Sequence, residues 1–406
     1  MADALLAHAT ALAPELTALR RAIHAEPELG LHTPLTRDKV RAALAHLPLS
    51  WAEGPSTTGL VATLTGGAGP GRCVLLRGDM DALPMPEETG LPFASTIPGT
   101  MHACGHDAHT AMLVGAAELL CARRDALAGE VRFMFQPGEE GWHGARYMIE
   151  DGLIGGPATG RDLPDAAFAL HIMPNAPHGL VAGRSGALMA SADQIDIVVE
   201  GAGGHASMPH QTRDPMPVAC EIVSALQAMV TRRFDIADPV VVTIARIEGG
   251  TTHNVIADRV AMKGTMRSLS ASNRTRLRAM VQQLAQGIAG AHGLEARVSI
   301  TEGFPVTLCD ARAVDFGEWT SRDLFGPAAF RRLDAPIMGA EDFAYVLEQV
   351  PGAMFFLGVA HEGEDWANCC GIHSPRMMLD ESVMPQGAAL LAGLAERFLS
   401  AGFGEG

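Results

Sequence analysis

Between Met101 and His109 the chain reads Met-His-Ala-Cys-Gly-His-Asp-Ala-His, with His102, Cys104, His106, Asp107 and His109 all capable of binding a metal. Imidazoles, a thiol and a carboxylate crowded this closely repel one another when cationic and lose solvation when buried. A bound divalent metal is the least costly way to keep them together. Three further sets share the same chemistry. Asp79 and Asp81 stand in Arg77-Gly-Asp-Met-Asp-Ala-Leu-Pro84, adjacent Glu139 and Glu140 in Gln136-Pro-Gly-Glu-Glu-Gly141, and His171 follows Ala166-Ala-Phe-Ala-Leu170. Two neighbouring glutamates that point to opposite sides can divide the work of a hydrolase, one holding a metal and the other facing the water it activates. Each acidic pair taken alone also has a solvated turn as its lesser reading.

The elements that must position these residues follow from apolar patterning. Cys73-Val-Leu-Leu-Arg77, Val131-Arg-Phe-Met-Phe135 and Ala166–Leu170 are short apolar runs of buried, parallel-type strands, and they end in the Asp, Glu and His sets respectively. Sites in open α/β sheets form at the carboxyl ends of strands, so the three runs are expected to deliver their polar residues to one edge. Met112, Leu113, Ala116, Leu119 and Leu120 predict a core-facing helix from His109 onward. The Cys/His cluster would then lie at its N-terminus, where the helix dipole favours a Cys104 thiolate. From about Ala190 the pattern changes: Ile195, Ile197 and Val199 alternate with polar residues, and strands and helices follow in the order β-α-β-β-α-β of a ferredoxin-like unit. Its loops carry His205, in Gly-Gly-His-Ala-Ser, and Asn254. Beyond Phe304 parallel-sheet character returns, with His373 in a loop ahead of a terminal helix. The expected architecture is an α/β domain with a mostly parallel central sheet (1–189 and 304–406), interrupted by an inserted ferredoxin-like α+β domain (190–303).

Bulk properties narrow the function. A formal net charge of −16 argues against nucleic acid, whose binding requires Lys and Arg to neutralise phosphates. Seven cysteines without a disulfide-framework spacing suit a reducing, cytoplasmic compartment. Leu5, Leu6, Leu12, Leu16, Leu19 and Ile23 predict one amphipathic N-terminal helix instead of a signal peptide, and no apolar run is long enough to span a membrane. Gly66-Gly-Ala-Gly-Pro-Gly71 lacks the Lys-Ser/Thr ending of a phosphate loop.

The chain resembles the M20 metallopeptidase clan, subfamily D, which comprises N-acyl-amino-acid amidohydrolases such as hippurate hydrolases and auxin-conjugate hydrolases. The likeness is carried by Arg77–Pro84, Met101–Asp107, Phe135–Gly141, Gly203-Gly-His-Ala-Ser207, Met338-Gly-Ala-Glu-Asp-Phe343 and His373-Ser-Pro375. The resemblance implies that Cys104, His106, Glu140, His171 and His373 ligate one or two divalent ions; the mixed thiolate, imidazole and carboxylate set itself points to zinc or manganese first, with cobalt or nickel as further options. It implies that Glu139 is the general base and that Asp81 supports the ligands from behind. His205 would support the oxyanion in the active site of a partner subunit, Asn254 and Arg267 would hold the substrate carboxylate, and the inserted domain would serve as lid and dimerisation surface. The implied reaction is hydrolysis of a small N-acyl amino acid. A dipeptidase on the same scaffold and a non-catalytic binder are the rivals, the latter disfavoured by an intact Glu139. Cys369 and Cys370, just ahead of His373, depart from the expected pattern, and read as inert cysteines or as thiols that alter metal choice and oxidation sensitivity.

Overall fold

The computed structural model describes residues 2–156 and 162–404, and the chain divides into two compact units. The first unit takes Met1–Leu188, Leu308–Ala335 and Asp342–Gly406; the second takes Met189–Thr307 and Pro336–Glu341.

The first unit is built on an eight-stranded sheet. Its strands run, from edge to edge, Ser50–Glu53, Leu60–Thr65, Glu130–Gln136, Cys73–Asp79, Ala166–Met173, Gly352–Gly358, Val181–Gly183 and Phe330–Arg332. The four inner strands from Glu130–Gln136 to Gly352–Gly358 pair in parallel, as their unbroken burial predicts. The sheet as a whole is mixed, with four of its seven pairings parallel, Phe330–Arg332 against Val181–Gly183 being the fourth. Leu60–Thr65 joins Glu130–Gln136 antiparallel, Ser50–Glu53 in turn pairs antiparallel with Leu60–Thr65, and Val181–Gly183 runs antiparallel to Gly352–Gly358. These outer strands are short, and a three-residue strand carries no readable period.

Two expectations about helices change. The N-terminal stretch forms two helices, Ala2–Ala11 and Ala13–His24, because Pro14 in the first turn of the second has no N–H to continue the turn before it. The central helix starts at His106, three residues earlier than its apolar stripe predicts, and runs to Cys121 with almost every side chain buried. Gly105 precedes it at φ +83°, where a Cβ would stand 2.3 Å from Ile172 Cγ1. Only glycine lets the chain press the Cys104 loop against the Ala166–Met173 strand and turn directly into the helix.

The second unit has the strand order Val240–Gly249, Arg259–Ser268, Ser191–Glu200, Glu295–Thr301, antiparallel throughout, with helices Pro215–Arg233 and Ala271–Ala291. Burial alternates residue by residue along Ser191–Glu200, and its inward set of Ile195, Ile197 and Val199 shares a core with Val218, Ile222, Leu226, Leu277 and Val281 of the two helices. Both helices are capped by the side chain before them: Asp214 accepts from the Met216 N–H at 3.0 Å and Ser270 from the Asn273 N–H at 3.2 Å. Asp193, buried, accepts paired hydrogen bonds from Arg274 and Arg278, which bind the second helix to the sheet.

Candidate metal centre

In the first unit, three parallel strands and one helix N-terminus meet at the carboxyl edge of the sheet. The Cys104, His106 and His171 donor atoms lie within 4.8 Å of one another, as do those of Cys104, Glu140 and His373, and those of His106, Glu139 and Glu140. Cys104 Sγ is 3.4 Å from His171 Nε2, and His373 Nε2 is 3.2 Å from Glu140 Oε1. Triads that share Cys104, His106 and Glu140 form one continuous donor set.

The glutamates do not point to opposite sides as a persisting strand would place them. Pro137 and Gly138, the latter at φ +72°, turn the chain out of the strand, and both carboxylates converge on His106. Asp81 fixes that turn, since its two oxygens accept from the Glu139 N–H at 2.9 Å and the Glu140 N–H at 3.0 Å. Its backbone carbonyl accepts from His106 Nδ1 at 2.8 Å, which aims Nε2 into the cluster.

Asp79 and His109 form a second layer. His109 Nδ1 donates to Asp79 at 2.6 Å and its Nε2 accepts from the Ile172 N–H at 2.8 Å, so both ring nitrogens are engaged. His109 therefore fixes the strand end that carries His171. A deeper network joins Asp107 to Arg20 Nε and His24 Nδ1, both at 2.7 Å, and His24 to Glu87 at 3.2 Å. No periodicity announces Arg20, His24 or Glu87, because their partners are distant in sequence. The only local signal is the spacing of three between His106 and His109, which places them on one helix face.

Electrostatics match a cation site. Burial alone would raise Asp79, but Arg77, His106 and His109 hold its carboxyl well below the usual range. Burial opposes the charge on His106, yet Asp79 and Cys104 lift it well above its ordinary value. Burial and the neighbouring His109 depress His171, leaving a neutral imidazole suited to ligation. The nearby Cys104 sulfur and the Glu140 carboxylate raise His373 to about 10. Burial pushes the Cys104 thiol up, so the helix dipole alone does not hold a thiolate, and the anion needs a cation beside it. Two buried atoms that face the cluster, His106 Nε2 and Glu140 Oε1, make no hydrogen bond of acceptable geometry. A divalent ion satisfies both, and a mixed S, N and O donor set fits zinc and its neighbours.

His205, Asn254 and Arg267 belong to the second unit. His205 is exposed on a two-residue strand paired with Val255–Ile256, and its Nδ1 accepts from the Ser207 N–H at 3.1 Å. Asn254, also exposed, accepts the Ala206 N–H on its carbonyl at 3.0 Å, so these two stand side by side. Arg267 lies on the Arg259–Ser268 strand and donates to the Met338 carbonyl at 3.1 Å. Cys369 is half-buried with its Sγ 3.5 Å from the Asp365 carbonyl, and Cys370 is exposed.

An α/β sheet whose carboxyl edge gathers a thiol, imidazoles and carboxylates around unsatisfied buried ligand atoms defines a class, the divalent-metal-binding α/β proteins. Within it, this chain belongs to peptidase family M20/M25/M40, whose family model matches residues 75–397. It is 37% identical to an N-acetylcysteine deacetylase of Bacillus subtilis over 93% of this chain and 95% of that one. It is equally 37% identical to IAA-amino acid hydrolase ILR1-like 2 of Arabidopsis thaliana, over 94% of this chain and 84% of that one. A Bacillus subtilis dinuclear metal-binding peptidase of the M20 family superposes with a TM-score of 0.81 at 33% identity, covering 96% of this chain and 99% of that chain.

Proposed function

We propose that this chain is a metal-dependent amidohydrolase that cleaves small N-acyl amino acids to a carboxylic acid and a free amino acid. The observation that carries the reading is the convergence of Glu139, Glu140 and His106 beside the Cys104 triads: a carboxylate able to act as base stands within the donor set itself. Relatives named as an N-acetylcysteine deacetylase and an IAA-amino acid hydrolase, alike over nearly the whole chain, support the substrate class.

Cys104, His106, Glu140, His171 and His373 would hold one or two ions, with zinc or manganese preferred and cobalt or nickel admissible. A bound divalent ion supplies Lewis acidity, polarising the amide carbonyl and acidifying water. Glu139 removes the water proton and returns it to the leaving nitrogen, held in place by the Asp81 grip on its backbone. His205 donates to the oxyanion from a partner subunit, and Asn254 and Arg267 take the substrate carboxylate. In this reading the second unit is lid and dimerisation surface, and the protein works as a cytoplasmic homodimer. Among the described residues no helix is long and apolar enough to cross a membrane.

The test is turnover of N-acetyl amino acids, hippurate and simple dipeptides by purified protein of measured metal content, before and after chelation and after readdition of each metal. Loss on chelation and recovery on readdition, with acyl amino acids ahead of dipeptides, is the expected result. Dipeptides ahead by a wide margin would make it a dipeptidase, and activity surviving complete metal removal would overturn the metal mechanism. Glu139→Gln is expected to lower kcat by about 10²- to 10⁴-fold at unchanged metal content. His205→Ala should cost about 10²-fold if His205 supports the oxyanion, read as kcat in the same assay.

A further inference from the structure

Asp342 lies in the Met338–Phe343 segment, fully buried, and none of the roles assigned above uses it. Its carboxylate nonetheless has a dense set of partners in the first unit. Gln136 Nε2 donates to its two oxygens at 2.7 and 2.9 Å, Arg77 Nη2 at 3.1 Å, and the Ala145 N–H at 2.9 Å. The backbone N–H of Asp342 in turn donates to Glu139 Oε1 at 3.4 Å.

Gln136 precedes, and Ala145 follows, the turn that carries Glu139. One carboxylate therefore clamps both ends of that turn while its own backbone touches the acid at the middle. The clamp extends further: Arg77 also donates to Gln136 Oε1 at 2.8 Å and to Asp79 at 2.6 Å, and Asp79 holds His109. A buried carboxylate with several donors is held to one geometry, because each lost bond leaves an orphaned polar group out of reach of water. A carboxylate that must meet a water proton at one point needs that kind of fixity.

We infer that Asp342 is a positioning residue for the Glu139 carboxylate, acting through Gln136, Ala145 and its own backbone N–H, and contributing to turnover instead of binding. The inference rests on the reading of Glu139 as base. Asp342→Asn puts an NH2 group among donors and frees the turn at one end. A small displacement of a reacting group costs on the order of 10²-fold, so kcat is expected to fall by about that much. KM should stay within about twofold, because ground-state binding is untouched. Adding Gln136→Glu to that variant reverses the polarity of the lost bond: the new carboxylate accepts from both Arg77 and the amide introduced at position 342. The double variant is expected to recover most of kcat, which a merely stabilising role would not produce at equal fold and metal content.

The experiment measures kcat, KM, bound metal and near-UV circular dichroism for the natural chain, Asp342→Asn, the double variant and Glu139→Gln. A selective kcat loss with normal metal content, rescued in the double variant, supports the inference. Should Asp342→Asn fail to fold, the double variant decides alone, near-natural kcat supporting the inference and a folded, metal-loaded but slow protein overturning it. Undiminished kcat in Asp342→Asn also overturns it while leaving the base reading intact, provided Glu139→Gln is inert. An active Glu139→Gln instead removes the base reading itself.

Discussion

His24 shows how a side chain that never meets the metal centre makes the protein sensitive to pH. Burial works against its charge, but Asp107 and Glu87 outweigh that and raise it to about 8 from an ordinary 6.5. Because the folded value lies above the unfolded one, its stabilisation is fully present below pH 6.5 and is lost as pH rises through about 8. A shift of this size corresponds to about 2 kcal/mol. Urea unfolding of the natural chain and of His24→Gln at pH 6 and pH 9 checks this. The stability difference between them should shrink by about 2 kcal/mol at the higher pH, and a difference constant with pH would refute it. The network behind this effect illustrates what residue-level reading misses. His106 and Cys104 stand out because metal-capable types crowd one stretch, whereas Arg20 and His24 meet Asp107 only through the packing of the Ala13–His24 helix near the central one. Nothing in their own neighbourhood in the sequence marks them.

Among the elements, legibility depends on length and burial. The three runs ending in Asp79, Gln136 and His171 are unbroken apolar stretches in the centre of a parallel sheet, and they deliver their polar residues to one edge as such runs should. Strand logic fails one step past the second run, where Glu139 and Glu140 turn to the same side. The turn that reverses it is decided by backbone more than by side-chain pattern. Gly144 makes the point: its N–H donates to the Gly138 carbonyl at 2.9 Å, and a Cβ there would lie 1.6 Å from the Pro137 carbonyl oxygen. Gly144→Ala must therefore open the turn that holds both glutamates. The expected outcome is loss of bound metal and of activity, with a stability cost of about 2 kcal/mol or more, typical of strain at a backbone-determined position. Metal analysis of the folded variant is the direct check, and an alanine variant that keeps its metal would contradict the role given to this turn.

On the scale of the whole molecule, the chain leaves one core, builds another and returns. The second unit owns a complete apolar core, capped helices and the Asp193 clamp, all contributed by residues 191–301. The Met189–Thr307 segment is accordingly expected to fold when produced alone and to unfold in one cooperative step with urea; a gradual loss of helical signal would show that it depends on the rest of the chain. Its β-α-β-β-α-β order is readable because alternation and helical stripes differ sharply in period. The short segment Pro336–Glu341, which joins this unit after a long excursion, is not readable, since a six-residue strip offers no pattern of its own.

The donor set is assembled from both sides of that excursion. Cys104, His106, Glu140 and His171 are synthesised before the second unit begins, and His373 only after it is complete. A growing chain on the ribosome thus carries a thiol, two imidazoles and a carboxylate with the fifth donor still unmade. On the proposed ligand set, the complete site therefore exists only once the chain on both sides of the second unit has been made, and full metal loading is expected to follow synthesis.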